Sequence, residues 1–285
     1  MRINTNVSSL NAQESANITN ANLKNSLEKL SSGLRINKAS DDASGLAIAD
    51  KLRTQASSIG QSIANGNSAV SLTQIADKAM AEQSNILDIV KTKLLQAATA
   101  TTSSKGREAI AKDIDKLLNQ LNNIAIQTNY NGIQLLQAGT TANGSAAASL
   151  TFQMGETSAN TISTSSGVTA NVNGLGLSTL KTAVGTPSSF SASSATTALS
   201  AIDSAIDTLN GWRSDFGSTQ NQLESAIRNL ATQQTNIKAA ESVIRDVDYA
   251  AESANFNKQN IISQAGTYAM SQANAIQQNV LRLLQ

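Results

Sequence analysis

Few residues in this chain can do chemistry. Its 285 residues include neither histidine nor cysteine, which removes the usual transition-metal ligands and every Cys/His or Ser/His nucleophile pair. Acid/base work would fall to carboxylates, Lys and Tyr. The closest carboxylates are Asp41 and Asp42, within LRINKASDDASG, and the cluster Arg245, Asp246 and Asp248 within RDVDY. Asp41 and Asp42 could form a cation site or an acid/base pair, but adjacent carboxylates before a helix are far more often caps or favourable charges at its N-terminus. The second cluster reads as a solvated linker. No nucleotide loop, metal spacing or nucleophile arrangement accompanies them. The sequence therefore assigns no catalytic residue, no metal site and no cofactor.

The elements that would have to position such groups are long helices. Aromatic residues make up only 3% of the chain, much of the 40% apolar fraction is Ala, and proline occurs once, at Pro187. The side chains that bury most area in a globular core are nearly missing, and helix breakers are sparse. The formal charge of +1 comes from 21 basic and 20 acidic residues with no Lys/Arg run, so nucleic acid is not an expected partner. No apolar run of about 18 residues offers a membrane span. The opening MRINTNVSSLNAQESANITN has no apolar h-region, so export without a cleaved signal peptide is expected if the chain leaves the cell.

Along the chain, Val7, Leu10, Leu23, Leu27 and Leu30 recur at helical intervals among Asn, Ser and Ala, giving a helix that is marginal by itself in water. A polar connector ends near Gly45. From Leu46 to about Thr99 no proline interrupts a pattern carrying Leu52, Ile59, Ile63, Val70, Ile86 and Val90, which predicts a helix roughly 80 Å long. A second helix carries Ile114, Leu117, Leu118 and Leu121 and ends near NYNG, where Asn131–Gly132 is a strong two-residue hairpin signal. Residues 137–198 hold only two charged side chains, Glu156 and Lys181; they read as a short, Ser/Thr/Ala-rich surface region of strands and loops. Helical periodicity returns at Leu199, and the heptad run Leu223, Ile227, Leu230, Gln234, Ile237, Glu241, Ile244 follows, the mark of a helix packed along its length against others. After RDVDY, a final weak stripe carries Ile261, Tyr268, Ile276, Val280, Leu283 and Leu284. The economical geometry folds the chain back at its middle and brings the termini together. The expected fold is mostly α: an elongated multi-helix bundle or coiled coil with a small mid-chain β-hairpin region.

The segments INTNVSSLNAQ, LSSGLRINKASDDASGLAIADKLRTQ, QTNYNGIQLL, QNQLESAIRNL, ESVIRDVDYAAESANFNKQNIISQAGTYAMSQAN and NVLRLLQ resemble bacterial flagellin. The resemblance covers roughly residues 1 to 137 and 198 to 285 in the right order. It implies a non-enzymatic structural subunit that self-assembles into the flagellar filament for motility, in a short form lacking large outer domains. The implied organisation is an N-terminal inner-core helix and connector at 1–45, half of a helical bundle at 46–136, a variable surface region at 137–198, the other half of the bundle at 199–244, and a connector with the C-terminal inner-core helix at 245–285. It further implies type III export, a cytoplasmic export chaperone, filament cap and hook-filament junction partners, and a homopolymer outside the cell. It also implies that the two connectors lie side by side, where ion pairs from Arg35 or Arg245 to Asp41, Asp42, Asp246 and Asp248 would each contribute about 0 to 1 kcal/mol if exposed.

Under this reading, Ile3, Val7, Leu10, Leu23, Leu27, Leu30, Ile261, Tyr268, Ile276, Val280, Leu283 and Leu284 form the contact between subunits. Segments this poor in strong hydrophobes cannot offset their ordering entropy until a neighbour covers them. Leu52, Ile59, Ile63, Val70, Leu117, Leu121, Leu223, Ile227, Leu230, Ile237 and Ile244 form the bundle core. The family's patch for a vertebrate innate immune receptor corresponds to LDIVKTKLLQ at 87–96, where Ile89, Lys91, Thr92 and Lys93 replace the family's first Arg, second Arg, Glu and Leu. A hook-filament junction protein and a secreted coiled-coil adhesin or translocator are the rival readings, separable by cellular abundance and by seeded fibre growth.

Overall fold

The structure is a computed structural model and describes residues 5–142, 144–164 and 167–283. Six helices and two small antiparallel hairpins make up the described chain, so the expectation of a mostly α fold with a mid-chain hairpin region holds. Helix α1, Val7–Ser32, opens on Asn6, whose side chain accepts the Ser9 N–H, and stops at Gly33 with φ +74°. A side chain at position 33 would sit 2.9 Å from the Tyr249 hydroxyl, which would have to swing aside, and the left-handed turn favours glycine. Helix α2, Ala43–Ala98, runs 56 residues without proline, and Asp42 Oδ1 accepts the Gly45 N–H at its start, 2.9 Å. Helix α3, Ser104–Gln127, is capped by Ser103, which accepts from Gly106.

Strands β1, Asn129–Tyr130, and β2, Ile133–Gln134, pair across Asn131–Gly132. Strands β3, Thr151–Gln153, and β4, Thr161–Ser163, pair likewise. A short helix α4, Ser178–Gly185, and a 3₁₀ turn at Pro187–Ser189 lead to α5, Ala192–Arg245, a single helix of 54 residues. Its first turn is capped by Ser191, accepting from Ser194, so it begins before the expected Leu199. Helix α6, Tyr249–Leu283, opens on Asp248, whose Oδ1 accepts the N–H groups of Ala250 and Ala251.

The contacts divide the chain into two compact units whose boundaries fall inside α2 and α5, one unit holding residues up to 57 with 234 onward, the other 58–233. The second unit has a core built by Met80, Leu87 and Leu94 of α2, Ile114, Leu118 and Leu121 of α3, and Ile202 and Leu209 of α5, all fully buried.

Residues 137–198 correct the expectation of a surface region. Val168, Ala170, Val172, Leu175, Leu177, Leu180, Val184 and Phe190 are buried in that same core. Sparse apolar residues suffice here because they close a core that α2, α3 and α5 already supply. The backbone beneath them is satisfied by buried amides: Gln83 Nε2 donates to Leu121 O and Ala170 O, Asn122 Oδ1 accepts from Val172 N, and Asn171 Nδ2 donates to Gln137 Oε1 and Gly144 O.

In the first unit α1 and α6 lie antiparallel: Asn6 reaches Ala273 O, Asn20 meets Ser263, and Ser26 meets Glu252 and Asn255. The two connectors are stitched together by backbone. Leu34 and Asp246 form an antiparallel bridge, with Arg35 N–H donating to Arg245 O, 2.6 Å, and Val247 N–H to Gly33 O, 3.0 Å.

Candidate functional site

The terminal pair inverts ordinary burial. The buried side chains of α1 are Ala16, Thr19 and Ser26, and opposite them stand Glu252, Asn255 and Ser263, with a Cβ at Gly266 placed only 3.9 Å from Ala16 Cβ. Small residues let the two backbones approach closely, and the polar ones satisfy each other across the seam. The large apolar side chains are left outside. Val7 is 59% exposed, Leu10 54%, Leu27 56%, Ile261 66%, Tyr268 75% and Ile276 55%. Leu23 and Leu30 are half-buried. Ile3 and Leu284 lie outside the described residues, as do the side chains of Val280 and Leu283. Ile18 and Ile262 are exposed on the same helices and are absent from the expected contact residues. Ile18 follows Leu10 at i+8, a spacing an amphipathic stripe contains, so the pattern held the signal.

Large apolar side chains exposed in this number on one helix pair mark an interaction surface. The polar groups of the seam bond to each other or to backbone. Among the described residues no group of three or more acidic side chains could hold a metal ion, and no helix is long and apolar enough to cross a membrane.

Of the expected bundle-core residues, Ile59, Leu121 and Leu223 are buried, while Leu52, Ile63, Val70, Leu117, Ile227, Leu230, Ile237 and Ile244 are half-buried. Close packing extends beyond them: a Cβ at Gly66 of α2 would come within 2.8 Å of both Ile227 and Met154.

The aspartates serve as caps rather than as ion-pair partners of Arg35 or Arg245. Asp41 Oδ2 accepts the N–H groups of Asn37 and Lys38, each at 3.0 Å, and the Lys38 N–H, followed by that of Asn37, holds its carboxyl below the ordinary value. Asp42 and Asp248 cap α2 and α6, and Asp246 accepts from Ser242. Their short side chains are satisfied locally. Arg245 instead sits 3.6 Å from Asp50, and Arg35 Nη2 donates to Ile244 O, 2.6 Å.

At the receptor-equivalent segment, Ile89 is exposed, Lys91 pairs with Asp203 at 2.6 Å, and Lys93 pairs with Asp113 at 3.0 Å. Thr92 donates to Ile89 O. The hydrogen bond to Asp203 holds the Lys91 ammonium above its ordinary pKa.

A helical chain whose ends pair through small residues and present their bulky ones outward belongs to the class of helical assembly subunits. Comparison with known proteins gives that class a family. The family model described as the bacterial flagellin N-terminal helical region matches residues 3–141, and the one described as the bacterial flagellin C-terminal helical region matches residues 199–284. The chain belongs to the bacterial flagellin family. Flagellin of Bacillus subtilis is 36% identical over 310 residues, covering 100% of both chains. The flagellar filament 30.7 kDa core protein of Treponema maltophilum is 34% identical over 285 residues, again covering 100% of both. A solved chain from Vibrio parahaemolyticus, described as a flagellar hook-associated protein, has a TM-score of 0.61 at 14% identity over 72% of this chain and 99% of that one; it shares the fold.

Proposed function

We propose that this chain is a structural subunit that self-assembles into the bacterial flagellar filament for motility, with no catalysis of its own. One observation carries the reading: Val7, Leu10, Leu27, Ile261, Tyr268 and Ile276 are exposed on a helix pair whose own seam is made of small and polar residues, Ala16, Thr19, Ser26 and Gly266 with Glu252, Asn255 and Ser263. Burying bulky stripes against copies of the same pair removes apolar surface from water at about 25 cal/mol per Å². A heterologous contact that does not close then repeats into an open helical fibre. The family names of the relatives support the same role. Within it, 1–45 and 245–285 form the inner contact, and 46–136 with 199–244 form the surrounding bundle. Export without a cleaved signal peptide, a chaperone holding the C-terminal segment, and addition beneath a cap, distal to hook-filament junction proteins, complete the proposal.

Seeding a solution of purified chain and imaging it by electron microscopy tests this. Long helical fibres are expected; a monomer that stays soluble, with both ends protected from hydrogen exchange, overturns it. The pairing of Lys91 with Asp203 and of Lys93 with Asp113 supports weak or absent activation of the innate immune receptor, because Ile89 and Lys91 do not reproduce the bidentate Arg forks they replace and both lysines are engaged within the chain. Strong signalling by purified monomer in a reporter cell assay would refute that.

A further inference from the structure

The dipeptide Asn–Gly occurs five times, at Asn65–Gly66, Asn131–Gly132, Asn143–Gly144, Asn173–Gly174 and Asn210–Gly211. Glycine after asparagine leaves the following backbone nitrogen unshielded, so that this nitrogen can reach the asparagine side-chain carbonyl. Whether it does so depends on what already holds it, since a backbone N–H in a folded chain is ordinarily committed to a hydrogen bond.

In four of the five it is committed. Gly66 lies within α2 and Gly211 within α5, where each N–H belongs to the helical ladder. The Gly144 N–H donates to Thr141 O, 3.1 Å, and the Gly174 N–H donates to the buried Asn171 Oδ1, 2.7 Å. Gly174 is also walled in, a Cβ there meeting Thr169 O at 2.1 Å.

Gly132 differs from all four in its N–H and in its left-handed backbone. It is the second residue of the two-residue turn between β1 and β2, so its N–H lies outside the ladder pairs Asn129–Gln134 and Tyr130–Ile133, and among the described residues it has no acceptor. Asn131 and Gly132 are both exposed, with φ of 51° and 81°, and nothing lies within 4 Å of a Cβ built at 132. The hairpin that holds them has two residues per strand, so local opening is cheap.

We propose that Asn131 is a site of spontaneous covalent modification, cyclising to a succinimide and hydrolysing to aspartate and isoaspartate. Base removes the Gly132 amide proton, and the nitrogen attacks Asn131 Cγ. The new N–Cγ bond forms as the Cγ–Nδ2 bond breaks, and the departing nitrogen takes up a proton as ammonia. Water then adds to either ring carbonyl. Addition at one carbonyl opens the ring to aspartate, and addition at the other to isoaspartate. The net reaction consumes one water and releases one ammonia, with no redox change. The two products differ in consequence. Asp–Gly suits the same two-residue turn, so aspartate adds a negative charge at the hairpin tip and keeps the Tyr130–Ile133 pairing. Isoaspartate inserts an extra main-chain carbon and breaks that register.

The test incubates the full folded chain in mildly alkaline buffer at growth temperature and follows all five sites by peptide mass spectrometry. Cleavage after Tyr130 places Asn131 at a peptide terminus, and enzymatic methyl transfer reports isoaspartate. In the folded chain Asn131 is expected to convert roughly tenfold faster than Asn65 and Asn210, the factor that about 1.4 kcal/mol of local opening supplies. In denaturant the five rates are expected to converge. Asn131→Gln should remove most of the early isoaspartate signal. If Asn131 is not the fastest site in the folded chain, or if it keeps its lead in denaturant, the structural assignment is overturned.

Discussion

The two contact units of this molecule spend similar side chains in opposite ways. In the unit of residues 58–233, Met80, Leu87, Leu118, Leu121 and Leu209 face inward and are fully buried. In the terminal unit the interior of the α1–α6 seam belongs to Ala16, Thr19 and Ser26, while Leu10, Ile261 and Tyr268 face out. The difference teaches that apolar content alone does not say what a helix is for. A helix that hides its bulky residues completes its own chain, and one that hides its small residues leaves the larger part of its hydrophobic free energy for an encounter.

The strongest way to break this contrast is to truncate one large side chain in each unit. Leu118→Ala or Leu121→Ala should cost about 2 to 5 kcal/mol and lower the thermal midpoint of the monomer, because a cavity is left in a closed core. Leu10→Ala or Ile261→Ala should leave monomer unfolding within about 0.5 kcal/mol of the parent and instead raise the concentration needed for fibre growth. Equal destabilisation of the monomer by both kinds of variant would show that the terminal stripes are already covered without a second copy.

A smaller effect sharpens the description of the interior unit. Gln83 is fully buried and its Nε2 bridges Leu121 O, 3.1 Å, and Ala170 O, 2.7 Å. Gln83→Leu fills nearly the same space but strands the Ala170 carbonyl, whereas Leu121 O keeps its helical partner within α3. A loss of about 1 to 3 kcal/mol is expected by chemical denaturation, with the greatest loss of hydrogen-exchange protection around Ala170. A neutral outcome would mean that the segment 168–177 is held by its apolar side chains alone.

Much of this is legible from residue spacing, and the failures are physical. Helices α2, α3 and α5 follow from long proline-free stretches with apolar residues every three or four positions, and β1–β2 from Asn131–Gly132. Helix α4 escapes such a reading because only Leu180 and Val184 of its eight residues are buried and Ser, Thr and Gly surround it; it exists by packing on α3, with Lys181 reaching Asp115 at 2.7 Å. The seam of the terminal pair is invisible for a related reason. Hydrophobic patterning finds the stripe Val7, Leu10, Leu27, but no pattern of hydropathy marks Ala16, Thr19 and Ser26 as the residues that meet α6. The partner of Arg245 is misjudged because Asp50 is remote in sequence and only the stitched connectors bring it near.

Those connectors supply a third perturbation, confined to the terminal unit. Gly33→Ala must adopt φ +74° and push aside the Tyr249 hydroxyl. The left-handed backbone costs about 1 to 2 kcal/mol for a residue with a Cβ. Protection of the Val247 N–H, which bonds Gly33 O, should fall while the melting of residues 58–233 stays put. Loss of both together would show that the two units unfold as one and would weaken the contrast between them.

The gentlest probe uses acid, and it compares how each unit stabilises a carboxylate near its surface. Asp41, in the terminal unit, is held below its ordinary value of 3.8 chiefly by the Lys38 N–H and then the Asn37 N–H. Glu108, at the start of α3, is held below 4.5 chiefly by its side-chain hydrogen bond to Lys112. A depressed carboxylate stabilises the fold fully above its unfolded pKa, and that contribution fades as pH falls through the lower folded value. Both effects therefore vanish only in acid. Salt separates them: the exposed Lys112 charge is screened, whereas backbone N–H donors carry no net charge to screen. In a carboxyl titration by NMR, the Glu108 depression should shrink on adding salt and the Asp41 depression should persist, with Asp41→Asn weakening protection at Lys38. Equal salt sensitivity at both sites would place Asp41 under the control of Lys29 and Lys38 charge instead of the connector backbone.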